Sequence, residues 1–288
     1  MQQISPGTLY VVATPIGNLA DLSPRVVEVL SQVDLVLAED TRHTAQLLRH
    51  CGLSRPMLSL HEHNERQKVE SVVQRLRENQ SIALVSDAGT PLLSDPGFPL
   101  LRRLRELKMP VIAVPGPCAA IAALSVAGLP TDRFVFEGFL PPKRGARQAR
   151  LQSLAAEQGT LVFYESGKRL APMLEDLCLI FGPQREAAVA RELTKLYESL
   201  YRATLGELMQ QSDTDPDMSR GELVVLVEGH SASEEDHEED LDRVLSVLLP
   251  VLPLSQAVKL ACALTDLGRN QVYKRATDLQ KDIDLRSL

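Results

Sequence analysis

The 288-residue chain has no tryptophan, five tyrosines, six phenylalanines and four cysteines. So few aromatics argue against the row of stacking rings that threads single-stranded nucleic acid. Cys51, Cys118, Cys178 and Cys262 are scattered without metal-ligand spacing, which excludes a disulfide scaffold and fits reduced residues of a cytoplasmic protein. His61 and His63 stand beside Glu62 and Glu65 with no obvious third ligand, so no metal is expected. PIGN (15–18) is neither the GxGxxG nor the GxxxxGK[ST] pattern, which leaves a dinucleotide or nucleoside triphosphate cradle unsupported. TLYVVA is short and soon meets Pro15, so no secretory signal is expected. Residues 109–130 carry no charge and reach membrane-spanning length, but VPGPC divides them into a strand and a small-residue helix. No membrane segment is expected.

What is present is a 44% hydrophobic chain with a net charge of −7. The acids are unevenly placed. The stretch GHSASEEDHEEDLD (229–242) holds seven of them and no Lys or Arg, so acids and bases balance over the remaining residues. KRGARQAR (143–150) has four bases and no acid; RRLREL (102–107) has three bases and one acid. A charge run is commonly a solvated face, yet overall acidity does not exclude RNA from a local basic patch.

Residues 1–116 alternate short apolar strands with helical patterns: TLYVVAT, DLVLAED, PMLSLHEHN, SIALVSDAG and VIAVPG are separated by amphipathic segments. This predicts an α/β domain with a mostly parallel sheet. Ser23 and Pro24 read as the N-cap and first residue of a helix. Residues 117–229 predict a second α/β domain with a more mixed sheet, from FVFEGFL, TLVFYES, AAVARELT, LYRATL and GELVVLVEG. Residues 230–240 have the composition of an acidic linker, and 241–288 read as a small helical unit. Its segments SQAVKLACALTDLG and RNQVYKRATDL invite a helix-turn-helix label, but the turn is short for the DNA-reading version, and no DNA partner is expected.

Chemistry gathers at the strand ends: ATPIGNLAD (13–21), AEDTRHT (38–44), HEHNE (61–65), SDAGTPLLSDPG (86–97) and PGPCA (115–119). In a parallel sheet these ends share one edge, where ligands bind. With nucleotide and metal motifs absent, the edge suits an organic ligand held by backbone groups.

Taken as a set, TPIGNLADLS, AEDTRHT, SDAGTPLLSDPG, PGPCAAIAAL, FEGFLP, FYES, ARELTK and GELVVLVEGH closely resemble the ribosomal small-subunit RNA methyltransferase I family. That family belongs to the tetrapyrrole methylase superfamily. The resemblance implies two α/β domains with an S-adenosylmethionine cleft between them, and a homodimer. It implies 2′-O-methylation of a cytidine in the decoding region of 16S rRNA, with the small subunit as partner. By motif matching, Pro15 lines the cleft, Ser86, Asp87, Ala88 and Gly89 contact the methionine portion with Pro91 nearby, and Cys118 and Ala119 follow. Tyr164, Glu165 and Leu193 approach the adenosine end. Asp40, Arg42, His63, Glu65 and Lys195 are expected on the substrate side without an assigned base; a neutral His63 or a Lys195 lowered by burial would accept a proton. Lys143, Arg144, Arg147 and Arg150 are expected on a mobile, RNA-binding loop. A tetrapyrrole-precursor methylase and a non-catalytic ribosome-assembly factor are the alternatives.

Overall fold

Strands β1 (Leu9–Val12), β2 (Leu35–Ala38), β3 (Met57–Ser59), β4 (Ile82–Val85) and β5 (Val111–Val114) alternate with helices α1 (Pro24–Gln32), α2 (Thr41–His50), α3 (Glu65–Arg77) and α4 (Phe98–Glu106). The computed structural model describes residues 4–231, 234–265 and 267–286. The first sheet has the order β3-β2-β4-β1-β5, and every pairing is parallel. Helices cover both faces, so β2 and β4 are buried along their whole length, as their unbroken apolar runs require. Ser23 Oγ accepts from Val26 N at 3.3 Å with Pro24 behind it, and α1 starts where the cap chemistry predicts.

Helix α5 (Ala119–Ala127) leads to a second sheet of β6 (Phe134–Phe139), β7 (Thr160–Ser166), β8 (Glu186–Arg191), β9 (Ser199–Thr204) and β10 (Glu222–Val227). Its order is β6-β7-β10-β8-β9; β6 and β7 are parallel and the rest antiparallel. The alternation of β10 sorts its side chains between two cores. Leu223, Val225 and Val227 join a core with α7 (Gly167–Phe181) and α8 (Leu205–Thr214), while Val224 and Leu226 pack against Ala120, Ala123 and Leu124 of α5. The small residues of α5 let it lie close on the sheet, and the uncharged stretch at 109–130 is thereby spent on β5 and α5. Among the described residues, no helix is long and apolar enough to cross a membrane.

Thr204 and Glu207 form a reciprocal cap at the start of α8: Glu207 N donates to Thr204 Oγ1 (3.3 Å) and Thr204 N donates to Glu207 Oε2 (3.1 Å). Thr204→Ala should cost about 1 kcal/mol, measured as a lowered thermal midpoint with activity unchanged.

Residues 1–229 form one compact unit, and 230–288 a second. The second consists of α9 (Glu234–Leu248), α10 (Leu254–Thr265) and α11 (Arg269–Arg286) around Leu241, Leu245, Ala257, Val258, Ala261, Val272 and Ala276. The expected linker at 230–240 is corrected: the chain is helical from Glu234. Leu241 and Leu245 give that helix its buried stripe, so linker-like composition did not prevent helix formation.

Candidate active site

The carboxyl ends of β1, β2 and β4 are tied together by the loops that follow them. Thr14 N donates to Gly89 O (2.8 Å) and Gly89 N to Thr14 O (3.1 Å), bridging the first and fourth strand ends. Ser86 is buried, and its Oγ lies 3.3 Å from Ala88 O, so it shapes the loop from within. Gly89 has φ +81°, and an added Cβ would press on Ile16 at 3.3 Å. Thr90 Oγ1 donates to Pro117 O (3.0 Å), fastening the loop to the turn before α5. Leu92 and Ser94 hold φ of 78° and 70°, costly values for side chains other than glycine, and Gly97 N donates to Glu65 Oε2 at 2.6 Å to brace them.

Opposite stands the second sheet. The turn after β8 puts Glu192 and Thr194 at positive φ (50° and 67°), and Thr194 Oγ1 accepts from Asn18 N at 3.1 Å. A Cβ on Gly17 would fall 2.4 Å from Lys195 Cγ, so only glycine lets the PIGN turn approach this closely. Tyr164 OH accepts from Ala120 N (3.2 Å), and its phenol is pushed up to about 12, first by burial and then by Cys118. Glu165 is 3% exposed, with Oε1 accepting from Ser166 N (2.8 Å) and Oε2 3.1 Å from Arg169; burial pushes its carboxyl up.

Between these walls lies a cavity of about 470 Å³. Of the residues expected to hold a ligand, Asp87, Ala88, Gly89, Ala119, Tyr164, Glu165, Leu193 and Lys195 line it, joined by Ile16; Pro15, Ser86, Pro91 and Cys118 are not part of the lining. Among the described residues the lining includes six carboxylates, from Glu39, Asp87, Asp95, Glu165, Glu192 and Glu222, against the single cation of Lys195. Asp87 is fixed: Oδ1 accepts from Asp40 N (3.0 Å) and Oδ2 lies 3.2 Å from His43 Nδ1. Burial pushes Glu39 up. Asp95 is pushed up to about 6, first by burial, with Ser86 opposing and the charges of Glu39 and Asp87 adding.

The expected substrate-side set is not assembled. Asp40 caps α2 and pairs with Arg42 (2.5 Å), whose hydrogen bonds hold the carboxyl well below the usual carboxylate range. Glu65 is committed to Gly97 N, and His63 is exposed in the turn before α3. Lys195 reaches the cavity, but its expected lowering is corrected. Burial alone would lower it; Nζ hydrogen bonds to Glu192 (2.8 Å) and Glu222 (2.7 Å) outweigh that and keep it charged. Asp95, Glu39 and Glu192 were missed. Asp95 was visible as the second aspartate of SDAGTPLLSDPG, but nothing local distinguished it from a turn former.

The basic run is also corrected, from mobile loop to helix α6 (Arg144–Ser153). Arg147 is 5% exposed and bonds Asp176 at 2.7 Å through Nε, because the helical repeat turns it inward; Arg144 reaches the same carboxylate at 3.1 Å. Arg150 pairs with Glu137 (2.7 Å), and Lys143 is exposed.

Comparison with known proteins accords with this architecture. The family model described as Tetrapyrrole (Corrin/Porphyrin) Methylases matches residues 8–209, and that described as the RsmI C-terminal HTH domain matches 235–280. The second match supplies the helix-turn-helix description that the short turn had counted against. Uroporphyrin-III-C-methyltransferase from Thermus thermophilus shares the fold at a TM-score of 0.55 and 20% identity, over 77% of this chain and 94% of that one. Cobalt precorrin-4 methyltransferase does so at 0.56 and 17%, over 77% and 95%. Ribosomal RNA small subunit methyltransferase I of Escherichia coli O157:H7 is 50% identical over 276 residues, covering 96% of both chains. The Pseudomonas aeruginosa protein of the same name is 49% identical over 279 residues, covering 96% of this chain and 99% of its own. With a family model matching residues 8–209 and relatives at half identity along nearly its whole length, the chain belongs to the ribosomal RNA small subunit methyltransferase I family of the tetrapyrrole methylases.

Proposed function

We propose that the protein methylates small-subunit ribosomal RNA with S-adenosylmethionine, at the ribose 2′-oxygen of a cytidine in the decoding region. The observation that carries this reading is the acid-rich cavity between the two sheets. Its volume of about 470 Å³ lies within the range of ligand pockets, ~300–1,000 Å³, and its carboxylates suit a ligand bearing a sulfonium and an ammonium. Bound there, S-adenosylmethionine supplies a methyl group already activated on sulfur. Asp87, Ala88 and Gly89 hold the methionine portion; Ala119, Tyr164, Glu165 and Leu193 hold the adenosine end. Ser86 and Thr14 keep the loop in shape, and Lys195 stays charged to face RNA phosphate.

Asp95 takes the proton of the ribose hydroxyl. It lines the cavity, and its carboxyl is tuned to about 6, near the working pH that favours a general base. Lys143 and Arg144 lie at the exposed start of α6 and Arg150 in its last turn, paired with Glu137; Lys143 and Arg144 contact RNA phosphates. Lys143→Ala should make the slope of log affinity against log salt shallower by about 0.7–0.9 for the one phosphate that Lys143 neutralises, read from subunit binding across a salt series. The family resemblance also supports a homodimer acting in the cytoplasm, which sedimentation of the purified chain tests for its assembly part.

The deciding experiment uses labelled S-adenosylmethionine and 30S subunits from cells lacking the gene. A single 2′-O-methylcytidine in the decoding region is the expected result. Tight cofactor binding without transfer to subunits or naked rRNA would overturn it and direct attention to tetrapyrrole substrates.

A further inference from the structure

Phe139 closes β6 at the cavity with 58% of its surface exposed. The fold goes to some length to place it there. The pairing of β6 with β7 is regular through Phe136, opposite Val162, and then slips, so that Gly138 stands opposite Phe163 and Phe139 opposite Tyr164. In a regular strand, residues three apart point to opposite faces; one bulged residue restores them to the same face. Phe136 and Phe139 accordingly both meet Tyr164 edge-on, with centroids 4.9 and 5.8 Å away and interplanar angles of 72° and 65°. The bulge needs Gly138, which has φ +66°, and whose added Cβ would lie 2.7 Å from Ser94 Oγ across the cavity loop. Tyr164 is itself held by the Ala120 N–H.

The result is a phenylalanine ring braced on one side and open on the other, among loops otherwise rich in acids. Such a ring contributes little to either core; it suits a flat, neutral π-face. The chain runs from Phe139 through Leu140, Pro141 and Pro142 directly to Lys143 and Arg144 at the exposed start of α6, so a short stretch of chain joins the ring to the basic residues. We infer that Phe139 is a stacking platform for a nucleobase of the RNA substrate, at or next to the modified nucleotide. This rests on the reading of RNA as substrate. Stacking of a splayed base on an aromatic side chain is the common way to hold a single-stranded nucleotide still.

The test compares Phe139→Leu and Phe139→Trp with wild type on 30S subunits, with cofactor affinity measured separately by calorimetry. Leu keeps apolar bulk at an exposed site and removes the π-face. Loss of one stacked base should raise KM for subunits roughly 10- to 100-fold. Cofactor affinity should stay within about twofold, because the ring is assigned to the base and not to the cofactor, and Trp should restore KM to near wild type. Subunit kinetics unaffected by Leu would overturn the inference. So would a fall in cofactor affinity matching the rise in KM, which would place the adenine ring on Phe139 instead. Failure of wild type itself to methylate any RNA would overturn the proposed function, and the inference with it.

Discussion

Asp95→Asn should lower kcat about 10²- to 10⁴-fold while leaving cofactor affinity and subunit KM within a few-fold. Asparagine keeps the shape of the side chain in a loop already strained at Leu92 and Ser94, and removes only the proton acceptor. The pH profile gives a sharper reading. A general base must be ionised, and burial pushes Asp95 up to about 6, so wild-type kcat should rise as pH passes through about 6 and then level off. That limb should vanish in the Asn variant and persist in Glu39→Gln, a half-buried carboxylate lining the same cavity. Stability should move the opposite way. The folded value lies above the ordinary aspartate 3.8, so the native state holds the extra proton and loses stability as pH rises from 3.8 through about 6. At pH 7 the Asn variant therefore melts no lower than wild type, which separates lost chemistry from lost folding. A preserved acid limb, or an unchanged kcat, would remove Asp95 from the reaction.

Asp176→Ala should cost about 3–5 kcal/mol, the penalty of stranding a buried partner charge. Asp176 is fully buried and accepts from Arg147 Nε (2.7 Å), Gln148 Nε2 (2.8 Å) and Arg144 Nε (3.1 Å). Without it, Arg147 keeps only the carbonyl of Pro172, at 3.2 Å. At roughly 2–4 °C per kcal/mol for a unit of this size, the melting temperature should fall by about 6–20 °C. Burial alone would raise the carboxyl of Asp176; hydrogen bonds from Gln148 and Arg147, and the Arg147 charge, outweigh it and hold it low. Its stabilisation is therefore complete above the ordinary aspartate value of 3.8 and drains away as pH falls below it, so the gap between variant and wild type should narrow in acid. Arg147→Ala should likewise lose stability, and any weaker RNA binding it shows reports on folding, whereas Lys143→Ala reports on phosphate binding. A melting temperature within a degree or two of wild type for Asp176→Ala would show that the ion pair is dispensable.

The order of strands and helices across both sheets was legible because each signal is local. Unbroken apolar runs such as IALV and LVVLV, the cap at Ser23, and glycine after a helix act over a few residues. The acidic run at 229–242 misled for the same reason: its composition is local, whereas the buried leucines that hold α9, Leu241 and Leu245, lie at its end and beyond it. The ligand edge was legible too, since a parallel sheet brings its strand ends together whatever the loops contain. Which of those loop residues face the cavity was not. Ser86 and Asp87 are neighbours, yet one turns inward to shape the loop and the other lines the pocket.

The sequence by itself determined the two sheets, the family and the edge where a ligand sits, because periodicity, caps and motif order are written along the chain. Only the tertiary structure decided that Lys195 stays charged between Glu192 and Glu222, that Arg147 is buried on Asp176, and that Asp95 is tuned to about 6. A side chain's charge state and exposure depend on partners dozens of residues away, and those partners meet only when the chain is folded.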